Sequence, residues 1–255
     1  MPNKNVLILG VTGQDGSYLS KLLIDKGYSV FGTTRNCFNA DISNLQKLGI
    51  ADKVTLISSS LRDLKSLISI LEKINPMKIF HLAGQTSVGL SFELPIEAIE
   101  SITISTLNVL EAVKIFNPKI KLFIPCSSEC FGNTNYNNRA EENFPFKPCS
   151  PYAIAKSSAY WLANYYRKSH GIFVTICFLS NHESPLRGEN FVTTKIIKGI
   201  KGIIENNDKK ILLGNIDIVR DWGWAPSYVE AIYKAINNEI PDDFIISSGK
   251  SHSLR

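Results

Sequence analysis

The glycine-rich turn near the N-terminus constrains the fold of this chain more than any other feature. Gly10, Gly13 and Gly16 recur every third residue between a short apolar run, Val6–Leu9, and a segment with helically spaced leucines, Tyr18–Lys26. Glycine permits a tight reversal, lets a phosphate approach the backbone and allows the helix to pack closely on its strand. The turn therefore predicts a strand–turn–helix unit that binds a dinucleotide pyrophosphate, the alternative being a purely structural turn.

Strands and helices continue to alternate after this unit. Apolar runs predict strands at Ser29–Thr33, Val54–Ile57, Lys78–Leu82, Lys121–Ile124 and Phe173–Phe178, and helical spacing predicts helices at Leu64–Ile74, Ile96–Phe116, Pro151–His170 and Val192–Ile204. Strands separated by helices form a parallel sheet covered on both faces, so we expect a doubly wound α/β fold of the Rossmann type. Residues 1–180 would form the nucleotide-binding domain with the catalytic residues. Residues 181–255 would form a smaller substrate-binding portion, one strand or helix of which returns to the sheet.

Composition narrows the classes of function. The chain has 255 residues, of which 44% are hydrophobic, and its net charge of +5 is spread without long runs of one sign. That charge pattern gives no basis for binding nucleic acid. Five cysteines without a CxxC pair or a histidine cluster argue against a disulfide framework and against a metal site. Because the sequence has neither a signal-peptide apolar region nor a run long enough to cross a membrane, we expect a cytoplasmic protein.

Candidate cofactor residues follow three of the predicted strands. Arg35 stands where an acidic residue would bind the ribose of NAD; a guanidinium suits the 2′-phosphate of NADP, with a solvated loop arginine as the alternative. Asp63 is either an acceptor for an adenine amino group or the N-cap of the next helix. Leu82–Gln85 places small residues where a ligand crosses the sheet edge.

Candidate catalytic side chains occur in two segments. Tyr152 and Lys156 are four residues apart on one helix face, where the ammonium is expected to lower the pKa of the phenol. Ser127 and Glu129 directly follow the fifth strand, so the serine can hydrogen-bond a substrate oxygen and the glutamate can act as a general acid or base. The ordinary alternatives are loop capping for the serine and a surface charge for the glutamate.

Taken together, these motifs resemble the GDP-mannose 4,6-dehydratases, which are extended short-chain dehydrogenase/reductases. The resemblance covers nearly the whole chain. It rests on the glycine turn Gly10–Leu19, the segment Ser127–Glu129, the pair Tyr152 and Lys156, the segment Asn181–Pro185 and the segment Arg220–Gly223. The last two segments are the most specific to that family.

The resemblance implies an NADP enzyme that performs internal redox chemistry on a GDP-sugar. Tyr152, as phenolate, would take the proton of the C4 hydroxyl while hydride leaves C4. Ser127 would hold that oxygen and Lys156 would bond the nicotinamide ribose. Glu129 would remove the C5 proton and assist loss of the C6 hydroxyl as water, and the returning hydride gives a 4-keto-6-deoxy sugar. Family members usually carry threonine at the position of Ser127, so the hydroxyl is kept and we expect activity to survive.

The resemblance also assigns binding residues. Those for the cofactor, NADP with NAD as the second choice, are Gly10, Thr12, Gly13, Gln14, Asp15, Gly16, Arg35, Asn36, Asp63, Leu64, Leu82, Ala83, Gly84, Gln85, Lys156, His182 and Arg187. Those for the GDP-sugar are Ser87, Ser128, Asn181, Lys195, Asn215 and Arg220, although Arg220 could instead form a buried ion pair with Asp221. A homodimer or homotetramer is implied, paired through the helices predicted at Ile96–Phe116 and Pro151–His170.

Two features depart from the family pattern. Asn36, Cys37 and Phe38 follow Arg35, where family members typically have a second arginine and a serine pair, which weakens the expectation of NADP and of a tetramer. The chain stops at Arg255, where members continue through helices that complete the sugar-binding portion. We therefore expect a truncated substrate portion, in a fragment or a decayed copy, with exposed apolar surface near 244–246.

Three functions remain in competition at this point. The first is a dehydratase for GDP-mannose. The second is a dehydratase, reductase or epimerase for another GDP-sugar such as a heptose. The third is a binding module that keeps the nucleotide fold without turnover. A reductase needs no acid or base at Glu129, so replacing this residue by glutamine separates the first function from a reductase, whereas cofactor-dependent thermal stabilisation without product would indicate the third.

Overall fold

A computed structural model describes residues 3–134, 139–206 and 210–255 of the chain. The strands are β1 Asn5–Leu9, β2 Ser29–Thr34, β3 Val54–Ser58, β4 Lys78–His81, β5 Lys121–Ser127, β6 Val174–Leu179, β7 Asn181–Glu183, β8 Val219–Trp224, β9 Asp243–Ile246 and β10 Ser251–Ser253. The α-helices are α1 Gln14–Asp25, α2 Ser43–Lys47, α3 Leu64–Ile74, α4 Val88–Glu93, α5 Pro95–Ala98, α6 Ser105–Phe116, α7 Pro151–His170, α8 Val192–Asn206 and α9 Ala225–Ile236. Short 3₁₀ turns lie at Ala51–Lys53 and Ser128–Phe131, and a π-helical segment, Ile99–Ile104, joins α5 to α6.

Seven parallel strands form the main sheet in the order β3-β2-β1-β4-β5-β6-β9. Helices α1 and α9 pack together on one face, and α3, α6 and α7 pack on the other. The predicted doubly wound sheet is confirmed. The order reverses between β1 and β4, and such sheets bind ligands in the crevice outside the carboxyl ends of the strands at this point.

Strand β1 shows why the apolar runs of this sequence are continuous rather than alternating. Leu7 and Leu9 belong to the hydrophobic core on one face of the sheet, whereas Val6 and Ile8 belong to the core on the other face. A central parallel strand is covered on both faces, so each of its side chains must be apolar.

The helix after the glycine turn is longer than predicted. It begins at Gln14 rather than at Tyr18, with Gly13 as its N-cap. Periodicity could not show this start, because the first turn carries polar and glycine residues and its leucines begin only at Leu19.

The C-terminal part of the chain contributes to two sheets. Strands β10, β8 and β7 form a small separate sheet, while β9 pairs with β6 at the edge of the main sheet. The expected exposed apolar surface near 244–246 is wrong, because these residues are partly buried and pack against the two cores. Helix α9 was not predicted from the sequence, although Val229, Ile232 and Ile236 give it a buried face. No helix in the three described ranges is long and apolar enough to cross a membrane.

Candidate functional site

A cleft of ≈ 390 Å³ opens at the carboxyl ends of β4, β5 and β6. Its walls include Leu82–Gly89, Pro125–Ser127, Glu129, Tyr152, Lys156, Leu179–His182, Arg187 and Arg220. All four predicted catalytic side chains therefore border one cleft. A second cavity of ≈ 510 Å³ lies at the opposite sheet edge beside Lys78 and Lys121, and it contains none of the predicted residues.

Helix α7 presents Tyr152 and Lys156 to the cleft. The helix starts at Pro151, and the Ser150 side chain accepts a hydrogen bond from the N–H of Ala153, which fixes the first turn. Tyr152 and Lys156 are both at least nine-tenths buried. The two side chains that the sequence places on one helix face therefore lie together at the cleft wall.

The expected effect of Lys156 on Tyr152 is wrong in this structure. Burial raises the pKa of Tyr152 well above its usual value, and a hydrogen bond with the Ser127 hydroxyl only partly opposes this. Lys156 Nζ donates to Pro125 O at 2.9 Å and lies 5.8 Å from the centroid of the Tyr152 ring. The ammonium is therefore directed at a backbone carbonyl rather than at the phenol oxygen.

Ser127 and Glu129 are positioned by the end of β5. Ser127 Oγ accepts a hydrogen bond of 3.2 Å from the N–H of Glu129, so it also caps the 3₁₀ turn, as its alternative interpretation predicted. The Glu129 carboxylate faces the cleft, whereas Ser128 is not part of the described cleft wall. Of the two serines, Ser127 alone combines the capping bond with a place beside Tyr152.

Arg220 pairs with Glu129 rather than with Asp221. Arg220 Nε donates to Glu129 Oε1 at 3.0 Å across 91 residues of sequence. Asp221 Oδ1 instead accepts hydrogen bonds from Ser180 Oγ and the N–H of Ser248. The suggested Arg220–Asp221 ion pair is therefore wrong, and the pairing with Glu129 could not be read from the sequence because β5 and β8 meet only in the fold.

His182 and Asp15 form an ion pair on the side of the cleft next to α1. His182 Nε2 and Asp15 Oδ2 are 2.9 Å apart, and His182 Nδ1 lies 2.7 Å from Ser180 O. Burial by itself lowers the pKa of His182, but the Asp15 carboxylate and the hydrogen bonds outweigh burial and raise it. The Asp15 pKa is lowered, because His182 outweighs the opposing effect of burial. Gln14 also links α1 to the segment 182–184, because its side chain donates a hydrogen bond to His182 O and accepts one from Ser184 Oγ.

The glycine turn has the close packing that its spacing predicts. Gly10 has φ +85°, and a Cβ there would lie 2.8 Å from the backbone of Ala83. A Cβ on Gly16 would lie 2.5 Å from Gly10 O. The first turn of α1 has Gly13 as its N-cap, and this residue has no side chain that could accept from the N–H groups of the turn. These donors at a helix N-terminus fit a pyrophosphate.

Thr12, which was also predicted for the cofactor, is not part of the described cleft wall, and its backbone oxygen accepts a hydrogen bond from Asn44.

The segment after β4 also fits a bound cofactor. Gly84 has φ +136°, and a Cβ there would press on Ser101 O at 3.0 Å. Gln85 Oε1 is buried and has no hydrogen-bond partner among the described residues, although it borders the cleft. A buried acceptor without a donor costs free energy, so a ligand donor would satisfy it. Ser87 borders the cleft as well, and its Oγ caps α4 by accepting from the N–H of Leu90.

The residues predicted for the adenosine end of the cofactor lie apart from the cleft wall. Arg35 and Asn36 are exposed just after β2, and Arg35 forms no ion pair within the described ranges. Asp63 caps α3 by accepting from the N–H groups of Lys65 and Ser66, which confirms its N-cap interpretation. Leu64 is partly buried against the core.

The structure separates the predicted sugar residues into two groups. Ser87, Asn181 and Arg220 border the cleft. Arg187, which was predicted for the cofactor, borders it too, and its guanidinium lies 3.5 Å from the centroid of the Phe191 ring. Ser128, Lys195 and Asn215 are not part of the described wall, and Lys195 and Asn215 are exposed, so their role toward the sugar stays a prediction. The sequence reasoning missed other wall residues, namely Cys126, Asn190, Phe191 and Trp222. Only Trp222 had a signal, since it lies inside the specific segment Arg220–Gly223.

Comparison with known proteins identifies the family. The family model described as GDP-mannose 4,6 dehydratase matches residues 7–255. The chain belongs to the GDP-mannose 4,6-dehydratase family. GDP-mannose 4,6 dehydratase 1 of Arabidopsis thaliana is 38% identical over 264 residues, covering 100% of this chain and 73% of that protein. GDP-mannose 4,6-dehydratase of Vibrio cholerae serotype O1 is also 38% identical, covering 100% of this chain and 70% of that protein. The resemblance found in the sequence motifs is thereby confirmed.

Solved structures of other proteins share the fold of this dehydratase family member. UDP-glucose 4-epimerase of Thermotoga maritima, solved with UDP-glucose, has a TM-score of 0.85 at 22% identity over 98% of this chain and 79% of that one. A dTDP-glucose 4,6-dehydratase of Bacillus anthracis, solved with NAD, has a TM-score of 0.82 at 21% identity over 98% of this chain and 77% of that one. At these identities the likeness supports the fold alone.

Proposed function

We propose that this chain is an NADP-dependent GDP-mannose 4,6-dehydratase, which converts GDP-mannose into a GDP-4-keto-6-deoxy sugar. The observation that carries the proposal is the convergence of Ser127, Glu129, Tyr152 and Lys156 on one cleft of a chain that belongs to this family. A hydroxyl, a carboxylate, a phenol and an ammonium are the groups that an oxidation followed by loss of water needs.

Tyr152 is the base for the first proton. Its phenol oxygen takes the proton of the sugar C4 hydroxyl, and the Ser127 hydroxyl, which borders the same cleft, holds the same oxygen. Burial favours the neutral phenol, so Tyr152 must ionise against that preference before it can accept the proton. Lys156, whose Nζ donates to Pro125 O at 2.9 Å, would bond the nicotinamide ribose.

Glu129 is the base for the second proton. A C4 ketone acidifies the C5 proton, which allows a carboxylate to remove it and then to assist departure of the C6 hydroxyl as water. Arg220 holds Glu129 Oε1 at 3.0 Å and is half-exposed at the cleft mouth. A guanidinium there also suits the diphosphate of a nucleotide sugar. Asn181 and Ser87, both on the wall, are the further residues we propose for the substrate.

The cofactor residues follow from the fit of the glycine turn and of Gln85. The N-terminus of α1 would hold the pyrophosphate, and Leu82–Gln85 would line the ribose beside Lys156. NADP, when bound, supplies the oxidising centre that accepts a hydride and returns it within one turnover. We propose NADP rather than NAD because Arg35 is exposed at the end of β2 without an ion-pair partner in the described ranges, a position suited to a 2′-phosphate.

The assembly and the location are part of the same proposal. Helix α7 exposes Ile154, Trp161 and Tyr165, which lie on one face at helical spacing. Exposed apolar patches of this kind mark interfaces between proteins. We therefore propose a homodimer through α7 and α6, in the cytoplasm, where nucleotide sugars would be its substrates.

The test of the function is incubation of purified protein with NADP and GDP-mannose, followed by mass analysis of the sugar nucleotide. The expected product has lost one water, without net formation of NADPH. Glu129→Gln should lower turnover by about 10²–10⁴-fold, because it removes the base for the C5 proton. Glu141→Gln, at an exposed glutamate outside the cleft, is the matched control and should leave turnover unchanged.

Two outcomes would contradict this function. If GDP-mannose is unchanged while another GDP-sugar loses water, the sugar assignment is wrong. If Glu129→Gln turns over as fast as the natural chain, the reaction is a reduction or an epimerisation at C4 instead, since neither requires a base at C5.

A further inference from the structure

Two buried cysteines flank the segment that carries Ser127 and Glu129. Cys126 stands directly before Ser127 on β5, and Cys130 directly follows Glu129 in the 3₁₀ turn. Their side chains are almost fully buried, yet their Sγ atoms are only 3.4 Å apart. Cys126 also borders the cleft, whereas Cys130 lies behind it and is fully buried, so the substrate side is the route by which a small solute would reach the pair.

Helix α7 holds both sulfurs in place. Cys126 Sγ lies 3.7 Å from Lys156 O, and Cys130 Sγ lies 3.9 Å from Ala153 O. The hydrogen bond from the Cys126 thiol lowers the pKa of Cys130, whereas burial raises the pKa of Cys126. The two thiols therefore titrate as a pair, and the hydrogen bond between them favours a single thiolate.

We propose that Cys126 and Cys130 form a dithiol site that reacts with hydroperoxides and closes a disulfide across the catalytic segment. The thiolate of the pair attacks one oxygen of hydrogen peroxide, the O–O bond breaks, and a sulfenic acid and hydroxide result. The remaining thiol then attacks the sulfenic sulfur, forming the S–S bond, and the sulfenic oxygen leaves as water with the proton of that thiol. The two thiols lose two electrons and two protons in total, and both peroxide oxygens leave as water.

Closing this bond displaces the catalytic side chains. The sulfurs must approach from 3.4 Å to the bonded distance of about 2.05 Å. The ring that closes contains Ser127 and Glu129, so their positions relative to Tyr152 and Arg220 change. A misplacement of about 1 Å in an active site costs on the order of 10²-fold in rate. This loss of turnover rests on the proposed function, whereas formation of the disulfide does not.

The first test is mass analysis of the protein as it exists. Reduced protein is treated with hydrogen peroxide, blocked with iodoacetamide and digested with trypsin, which releases both cysteines in the peptide 122–139. We expect this peptide to lose the mass of two hydrogen atoms, to resist alkylation and to recover both thiols after treatment with dithiothreitol. Two alkylated cysteines after peroxide, or added oxygen atoms in place of the lost hydrogens, would overturn the proposal.

The second test links the disulfide to turnover. Peroxide should lower turnover of the natural chain at least tenfold, with recovery in dithiothreitol. Cys130→Ala should keep its turnover in peroxide, while Cys149→Ser, at an exposed cysteine away from the pair, should lose turnover as the natural chain does. A disulfide without loss of turnover would overturn the effect on the catalytic segment. If Cys130→Ala does not fold, the peptide mass of the natural chain still decides the site. If untreated protein has no turnover, the proposed function fails and the mass result stands.

Discussion

The pKa of Tyr152 depends on the residues around it, and the four-residue spacing to Lys156 does not reveal those residues. Two side chains four residues apart share a helix face, but the direction of Lys156 Nζ is set by Pro125 O on another element. The pair could therefore be predicted from the sequence, whereas the raised pKa of Tyr152 could not, because burial arises from the whole fold. The Arg220–Glu129 contact is a second case, since it joins residues on different elements.

We expect Tyr152→Phe to lower turnover by about 10²–10⁴-fold, because it removes the proposed proton acceptor while leaving the ring in place. The affinity for NADP, measured by fluorescence titration, should change little. Tyr165→Phe is the matched control, since Tyr165 lies on the exposed face of the same helix. Equal turnover in Tyr152→Phe and the natural chain would refute the role of the phenol.

Arg220 allows the two proposed roles of its guanidinium to be separated. Arg220→Gln removes the charge that would bind the diphosphate, so we expect KM for GDP-mannose to rise about tenfold or more. Steady-state kinetics with the exposed Arg62→Gln as control would measure this. A fall in kcat at unchanged KM would instead indicate that Arg220 acts only by positioning Glu129.

The His182–Asp15 pair should make stability depend on pH. The pKa of His182 is raised above 6.5, so its stabilising effect is complete below that value and is lost as the pH rises through the folded-state pKa. The pKa of Asp15 is lowered below 3.8, so its effect is present above that value and is lost as the pH falls through the folded-state pKa. Between about pH 6 and about pH 9, the melting temperature should fall by a few degrees more in the natural chain than in His182→Asn. His252→Asn, at an exposed histidine, should retain the dependence of the natural chain.

At the scale of elements, the glycine turn gives a direct comparison between two glycines. A Cβ on Gly16 would lie 2.5 Å from Gly10 O and 2.8 Å from the backbone of Val11, whereas a Cβ on Gly13 would meet Gly10 O at an ordinary 3.5 Å. Gly16→Ala should therefore lower the free energy of unfolding by about 1–3 kcal/mol. Gly13→Ala should lower it by less than about 1 kcal/mol, because only the N-cap preference changes. Urea unfolding of both variants measures the difference, and equal losses would contradict the packing argument.

Long helices and central strands were predicted well from the sequence, whereas the short strands and one C-terminal helix were not. The central strands and long helices were predicted because their apolar spacing extends over several residues, as in Leu64–Ile74, which the structure reproduces as α3. Strands β7 and β10 have three residues each, so their pattern is too short to recognise and pairing with β8 defines them. Helix α9 was missed because it directly follows β8 without a loop to mark its start.

At the scale of the molecule, the class of the sheet and the return of one C-terminal element to it could be predicted, but the position of the edge strand could not. Alternating strands and helices require a parallel sheet, which fixes the ligand edge and hence the place of the cleft. The addition of β9 next to β6 depends on a pairing between residues far apart in sequence. That pairing covers Phe244 and Ile246, which is why an apolar segment near the end of the chain is not exposed.

The exposed face of α7 supplies a prediction about the assembly. Trp161 is 60% exposed beside Ile154 and Tyr165, and burying such a surface against a second copy is favourable at about 25 cal/mol per Å². A stable dimer needs roughly 1,200–2,000 Å² of buried surface in total. We expect the natural chain to elute as a dimer in size-exclusion chromatography with light scattering, and Trp161→Glu to elute as a monomer, because an unpaired charge cannot be buried. Ile240→Glu, at an exposed apolar residue on a different surface, should remain dimeric. A monomeric natural chain, or a dimer that survives Trp161→Glu, would show that this face has another role.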